Sequence, residues 1–291
     1  MSGTGVEDVR ILVTGSSGRI GSAVVRELAE HGAMVAGLDR REAGGSQASV
    51  GMVATAQADA GQAAELSRAF EGIQAVVHLA AIPSPRGSER IVFANNVLAT
   101  YEVLQAAVDA GVKCAVIASS VSALGLAYAP ERMSPHYVPI DEEHVLRPAD
   151  PYALSKQCDE HIGAMFSHAY DMTIYAYRFP FTASMESIRA RSAKNVTDPS
   201  DGERELWAYL DVRDAARAVR LGIEAALRSE RGAFEVFNVI AEDALVDVPL
   251  EDLVKRFHPD TTIRKPLGAR DCGYTVDKAK KLLGFEAIYR R

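Results

Sequence analysis

Short apolar runs alternate with longer stretches whose apolar residues recur at helical spacing through most of the chain. Residues 9–14 are rich in β-branched side chains and stop at Gly15, which predicts a buried strand. Residues 20–31 carry apolar positions three and four apart and close at Gly32, which predicts a helix. The same reading gives strands at 33–38, 50–56, 75–79, 113–118, 173–178 and within 233–240. It gives helices at 64–70, 91–110 and 212–227. The strands are apolar on both faces. The pattern therefore predicts an α/β fold, a doubly wound parallel sheet of Rossmann type with helices on both sides and right-handed crossovers.

Residues 125–151 break the alternation with prolines at 130, 135, 139, 148 and 151. A long surface loop bordering a site is expected there. Asp150-Pro151 then opens a helix reaching towards Tyr170, with Asp as the N-cap and Pro at the first helical position. Segments 182–206 and 241–291 fit the alternation poorly. They are expected to form a small substrate-binding lobe. The dinucleotide-binding domain would then comprise 1–181 and 207–240.

Composition narrows the function classes. Of 291 residues, 48% are hydrophobic and 24% charged, within the range of ordinary globular chains. The net charge of −7 argues against a nucleic-acid partner. The absence of an uninterrupted apolar run of membrane-spanning length argues against a membrane span. Cys114, Cys158 and Cys272 are too scattered for a disulfide framework or a zinc site, so no metal is expected. Residues 1–8 lack the basic-then-apolar build of a secretion signal, and a cytoplasmic protein is expected.

Gly15-Ser-Ser-Gly18-Arg-Ile-Gly21 lies between the first strand and the first helix. Glycines let the backbone approach a pyrophosphate closely, and the N–H groups at a helix start attract its charge. Asp39 ends the second strand, where a carboxylate accepts hydrogen bonds from ribose hydroxyls and repels a 2′-phosphate. NAD is therefore favoured over NADP, although Arg40 and Arg41 follow at once. Tyr152 and Lys156 stand i, i+4 on one helix face. A nearby ammonium lowers the pKa of a phenol, which can then take a proton from a substrate hydroxyl. Ser119 and Ser120 end another strand on the side where parallel sheets gather ligands.

These motifs, in this order, resemble the extended short-chain dehydrogenase/reductase family, also called the NAD-dependent epimerase/dehydratase family. The resemblance covers nearly the whole chain. It includes the loop at 14–21, Leu38-Asp39, Asp59 after the third strand, His78-Leu79-Ala80-Ala81, the long helix from Asn96, Ser120 followed by Gly125, Pro151-Tyr152-Ala153-Leu154-Ser155-Lys156, the segment at 209–214 and the ending at 278–285. It implies Ser120, Tyr152 and Lys156 as catalytic residues, with Lys156 also on the nicotinamide ribose. It implies cofactor contacts from Gly15, Ser17, Gly18, Arg19, Ile20, Gly21, Asp39, Arg40, Asp59, Ala60, Leu79, Ala80, Ala81, Asn96, Tyr152, Lys156 and Phe179. It also implies a homodimer, paired through the helices near 91–110 and 152–170.

Departures from the family pattern bear on the substrate. Val121 and Ser122 stand where 4,6-dehydratases have an acidic pair, so water elimination lacks its usual groups. Phe181 stands where many nucleotide-sugar members have an asparagine on the diphosphate. Both point to a small sugar, sugar acid or polyol, as in the family's uronate dehydrogenases, though those have Asn-His after the catalytic serine. The expected activity is NAD-dependent hydride transfer at a hydroxyl or keto carbon. Alternatives are a sugar or nucleotide-sugar epimerase and, more remotely, a non-catalytic NAD-sensing regulator. Trp207 and Tyr209 either line the pocket or pack the lobe. Arg189 and Arg191 are expected at solvated positions.

Overall fold

The structure is a computed structural model that describes residues 5–40, 52–57 and 59–291. The strands and helices in chain order are β1 (Arg10–Thr14), α1 (Arg19–Glu30), β2 (Met34–Asp39), β3 (Met52–Gln57), α2 (Ala63–Ala69), β4 (Ala75–His78), α3 (Glu89–Asp109), β5 (Cys114–Ser120), β6 (Tyr137–Val138) and α4 (Pro151–Tyr170). They continue with β7 (Thr173–Phe179), β8 (Phe181–Ala183), α5 (Met185–Thr197), β9 (Tyr209–Asp211), α6 (Val212–Leu227), β10 (Phe234–Asn238), α7 (Leu250–Phe257), β11 (Thr262–Ile263) and α8 (Asp277–Leu283). The expected elements are present within a residue or two of their ends, except that the start of the third strand and Arg41 lie outside the described residues.

The central sheet has seven strands in the order β3-β2-β1-β4-β5-β7-β10, and every pair is parallel. Side chains alternate across it as a pleated strand requires. Ile11, Val13, Ala75 and Val77 join the core under α1 and α6, with Val24, Leu28, Val219 and Ile223. Leu12, Val76, Ala115 and Ile117 join the core under α2, α3 and α4, with Leu66, Val103 and Phe166. Chain order reverses between β1 and β4, so a crevice opens at their carboxyl ends, where doubly wound sheets bind ligands. By length and composition α3 would suffice to cross a membrane. In this fold it packs against α2 and α4.

The segment at 125–151 is in large part the expected irregular loop, but its middle is buried. Val138 and Ile140 are fully buried, and Tyr137 nearly so. β6 pairs in parallel with β11, and Ile140 bridges to Tyr274. The run Tyr137-Val-Pro-Ile140 is short but apolar, and burying it outweighs the loop character that its prolines and charges suggest. β8 pairs with β9 in a second small sheet. The chain between them is α5 and a 3-10 turn at Pro199–Glu205, followed by Leu206 and Trp207 in the left-handed region at φ 51° and 53°.

Candidate active site

The glycine loop owes its shape to two steric requirements. Gly15 has φ +69°, and a Cβ there would stand 2.8 Å from the Ala80 nitrogen. A Cβ on Gly21 would stand 2.1 Å from the Gly15 carbonyl oxygen. The loop therefore packs backbone on backbone against the end of β4. Gly18 is the N-cap of α1 and supplies no side-chain cap, so the N–H groups of the first turn are not satisfied by a capping side chain. Glycines that exclude a Cβ and an uncapped helix start fit a dinucleotide pyrophosphate. Asp39 reaches back to the loop, its Oδ2 accepting the Ser17 N–H at 3.0 Å. Arg40 donates to the Asn95 Oδ1 on α3 at 3.3 Å. Asp59 accepts the Gly61 N–H, and Ala60 is buried beside it. Arg19 donates to the Thr182 carbonyl at 2.9 Å.

At the end of β4, the buried His78 links Thr14 (2.8 Å) with Thr100 (3.2 Å). Burial first, and the Lys156 charge second, push its pKa down to about 3, so it is a neutral structural bridge. Asn96 is committed to the chain itself. Its Oδ1 accepts the Ile82 N–H at 2.8 Å, and its Nδ2 donates to Ile82 O and Ser155 Oγ, both at 3.1 Å. Ser155 in turn donates to the Tyr152 carbonyl. Asn96 thus holds the stretch after Ala81 against the first turn of α4.

That turn is set as its residues predict. Asp150 Oδ1 accepts the N–H groups of Tyr152 and Ala153, both at 2.9 Å, and Pro151 occupies the first helical position. Tyr152 and Lys156 share a face, with the ammonium 5.9 Å from the phenol ring centre. Among the described residues the Tyr152 hydroxyl has no hydrogen-bond partner, while its ring meets Tyr128 edge-on at 6.0 Å. Lys156 Nζ donates to the Ala118 carbonyl (2.9 Å) and to Asp159 Oδ2 (3.0 Å). Ser120 ends β5, its Oγ accepting the Ser122 N–H at 3.1 Å and facing the Phe179 carbonyl. Ser119 instead donates to Glu160 at 2.6 Å and is not available to a substrate.

Behind these groups lies a buried charge network that the motifs did not reveal. Arg178 on β7 makes a two-pronged pair with Glu160 at 2.8 Å on each prong and donates to the Glu142 carbonyl. The Glu142 carboxylate accepts the Asn238 N–H, and burial pushes its pKa up. Tyr128, Asp159 and Glu160 were all missed. Glu160 carries a signal, standing four residues after Lys156 on a helix face destined for the sheet. Trp207 and Tyr209 are fully buried in the core, with their polar ends on the Pro199 carbonyl and Asp243. Arg189 is exposed, but Arg191 is not a solvated surface residue. It pairs with Glu205 at 2.8 Å and lies over the Phe181 ring, because an aromatic face and a carboxylate together outcompete water for a guanidinium.

The family model described as the NAD dependent epimerase/dehydratase family matches residues 11–239. The NAD-dependent glucose-6-phosphate dehydrogenase of Haloferax volcanii is 27% identical over 75% of this chain and 81% of its own. The L-arabinose 1-dehydrogenase (NAD(P)(+)) of the same organism is 28% identical over 75% and 84%. Among solved structures, a UDP-galactose 4-epimerase superposes with a TM-score of 0.70 at 25% identity, covering 97% of this chain and 94% of its own. A short-chain dehydrogenase/reductase superfamily protein from Agrobacterium tumefaciens with bound NAD superposes with a TM-score of 0.70 at 25% identity, over 97% and 93%. With its sheet order, glycine loop and Tyr152–Lys156 helix, the chain belongs to the NAD-dependent epimerase/dehydratase family of extended short-chain dehydrogenases/reductases.

Proposed function

We propose that this NAD-dependent enzyme oxidises a hydroxyl carbon of a small sugar, sugar acid or polyol. Tyr152 is the acid/base, Ser120 holds the reacting oxygen, and Lys156, beside the phenol on the same helix face, binds the nicotinamide ribose. Gly15, Ser17, Gly18, Arg19, Ile20, Gly21, Asp39, Arg40, Asp59, Ala60, Leu79, Ala80, Ala81, Asn96 and Phe179 form the cofactor side of the crevice. NAD, when bound, supplies the hydride acceptor. The Tyr152 phenolate oxygen takes the hydroxyl proton as the carbonyl forms, and in reverse it returns that proton to the alkoxide. The nearly complete burial of Tyr152 and Lys156 keeps bulk water from weakening their interaction.

The observation that supports this reading is that Tyr152 and Lys156 share one face of α4, with the Lys156 ammonium on the Ala118 carbonyl of β5, the strand whose carboxyl end is Ser120. Tyr152→Phe tests it. Turnover should fall about 10²–10⁴-fold, the usual contribution of a positioned acid/base, with NAD affinity nearly unchanged. Retained turnover would refute the assignment.

A small substrate is favoured because Phe181 offers no polar group to a diphosphate, and Arg191 is already neutralised by Glu205 and Asp201. The two Haloferax sugar dehydrogenases support the same reading. The likeness to a UDP-galactose 4-epimerase supports epimerisation as the second reading. Denaturing the purified protein and assaying released NAD separates the two. Near-stoichiometric cofactor favours epimerisation, whereas an empty protein that binds NAD reversibly favours a dehydrogenase.

Segments 182–206 and 241–291 would form the substrate side. A cytoplasmic homodimer completes the proposal. Ile91, Leu98 and Tyr101 on α3, and Leu154 and Met165 on α4, leave apolar surface exposed for a second copy. Light scattering at the monomer mass would contradict it.

A further inference from the structure

Lys156 and Asp159 form an ion pair inside the protein. Their side chains are 5% and 2% exposed, and Nζ lies 3.0 Å from Oδ2. Standing three apart on α4, they project from one helix face towards α3 and β5. Each neighbouring element presents a group to this pair. On α4 they are Tyr152 and Glu160, and on α3 it is Thr100, whose hydroxyl donates to the Asn96 carbonyl; burial pushes the Asp159 pKa up, and the Lys156 charge opposes that rise. On β4 it is His78, which is neutral. On β5 and β7, Ser119 and Arg178 are both committed to Glu160. Among the described residues, Asp159 is therefore the one carboxylate within hydrogen-bond reach of the Lys156 ammonium.

We propose that Asp159 is a positioning residue of the active site, which keeps the buried Lys156 protonated and fixes its Nζ between its own carboxylate and the Ala118 carbonyl. The inference rests on the reading of Lys156 as a functional lysine. Its physical basis is the instability of an unpaired ammonium away from water. A buried lysine without a counter-charge sheds its proton, in extreme cases near neutral pH. Here burial pulls the Lys156 pKa down, and Asp159, the largest of the opposing influences, together with Tyr152 and Glu160 leaves it above the ordinary lysine value. Without Asp159 the amine would become neutral at a lower pH. It would then lose both its hold on a ligand oxygen and its influence on the Tyr152 phenol.

The test uses NADH as the probe, because its fluorescence reports binding without any turnover. In the unsubstituted protein, NADH affinity should stay level from pH 7 to pH 9. In Asp159→Asn it should fall at least about fivefold over that interval, as the unpaired amine deprotonates. Asp159→Glu keeps the charge and should restore the level profile. A purely structural role for Asp159 would weaken binding equally at every pH. An Asp159→Asn profile parallel to that of the unsubstituted protein therefore overturns the proposal.

Should Asp159→Asn not fold, a cycle with Lys156→Met remains decisive. In that background Asp159 is an unpaired buried carboxylate, so adding Asp159→Asn should raise the thermal midpoint. A lowered midpoint there contradicts the pairing. The outcome stays separate from the catalytic assignment. Tyr152→Phe that retains turnover sinks that assignment, whereas a parallel profile beside an inactive Tyr152→Phe sinks only the role of Asp159.

Discussion

The glycine loop and the paired charges around α4, β7 and α5 are built on different principles. The loop uses backbone. Gly15 and Gly21 exclude side chains, the uncapped start of α1 offers N–H groups, and one carboxylate, Asp39, accepts the Ser17 N–H. The paired-charge network uses side chains from distant parts of the chain. Arg178 grips Glu160, Arg191 rests on Phe181 and Glu205, and Tyr209 reaches Asp243. A backbone site tolerates almost no change at its glycines and accepts many residues elsewhere. A paired-charge site fails when one partner is removed and can survive when both are.

That contrast can be broken at several points. The largest expected effect is on the charge network. Arg178→Met leaves Glu160 buried without its cation and should cost about 3–5 kcal/mol of stability, measured by urea unfolding. Adding Glu160→Leu should recover a large part of that loss. A double variant as unstable as the single would show that Arg178 works through its packing.

On the backbone side, Gly21→Ala should cost about 1–3 kcal/mol, because the new methyl meets the Gly15 carbonyl, and it should weaken NAD binding together with stability. Unchanged NAD affinity would mean that the loop does not hold the pyrophosphate.

Between the two sides stands His78, whose folded-state pKa of about 3 is far below its ordinary 6.5. As pH falls below 6.5 the unfolded chain takes up the proton and the folded one does not. The stability from His78 is thus complete above 6.5 and drains away as pH falls towards 3. At pH 5 the loss should be about 2 kcal/mol, and His78→Gln should remove that share of the slope. An identical pH dependence in the variant would contradict a neutral bridge.

The smallest effect is expected from Asp39→Asn. Removing the carboxylate should narrow the preference for NAD over NADP by about tenfold, read from the two dissociation constants.

The same contrast explains what could be read from residues alone. Asp150-Pro151 states a helix start in two letters, and the spacing of Tyr152 and Lys156 places them on one face. The glycine loop is equally local. Glu160 and Arg178 lie on different elements, and nothing near either names the other. Tyr128 is hidden among prolines, and its place against Tyr152 depends on how residues 125–151 fold back. Val138 and Ile140 are buried by partners at 262–275, more than a hundred residues later. Trp207 and Tyr209 were ambiguous because a large aromatic ring serves a pocket wall and a core equally well. Local patterns were legible because their partners are close in the chain, and the charge network and buried rings were not because their partners are far away.

The pairing of β6 with β11 also has a consequence during synthesis. Residues 137–140 leave the ribosome well before residues 262–275, which complete their burial. At typical rates of about 5–20 residues per second, that interval is on the order of ten seconds. For that time the nascent chain lacks the strand that pairs with Tyr137 and Val138, and a passing chaperone would find an apolar stretch with its edge still open.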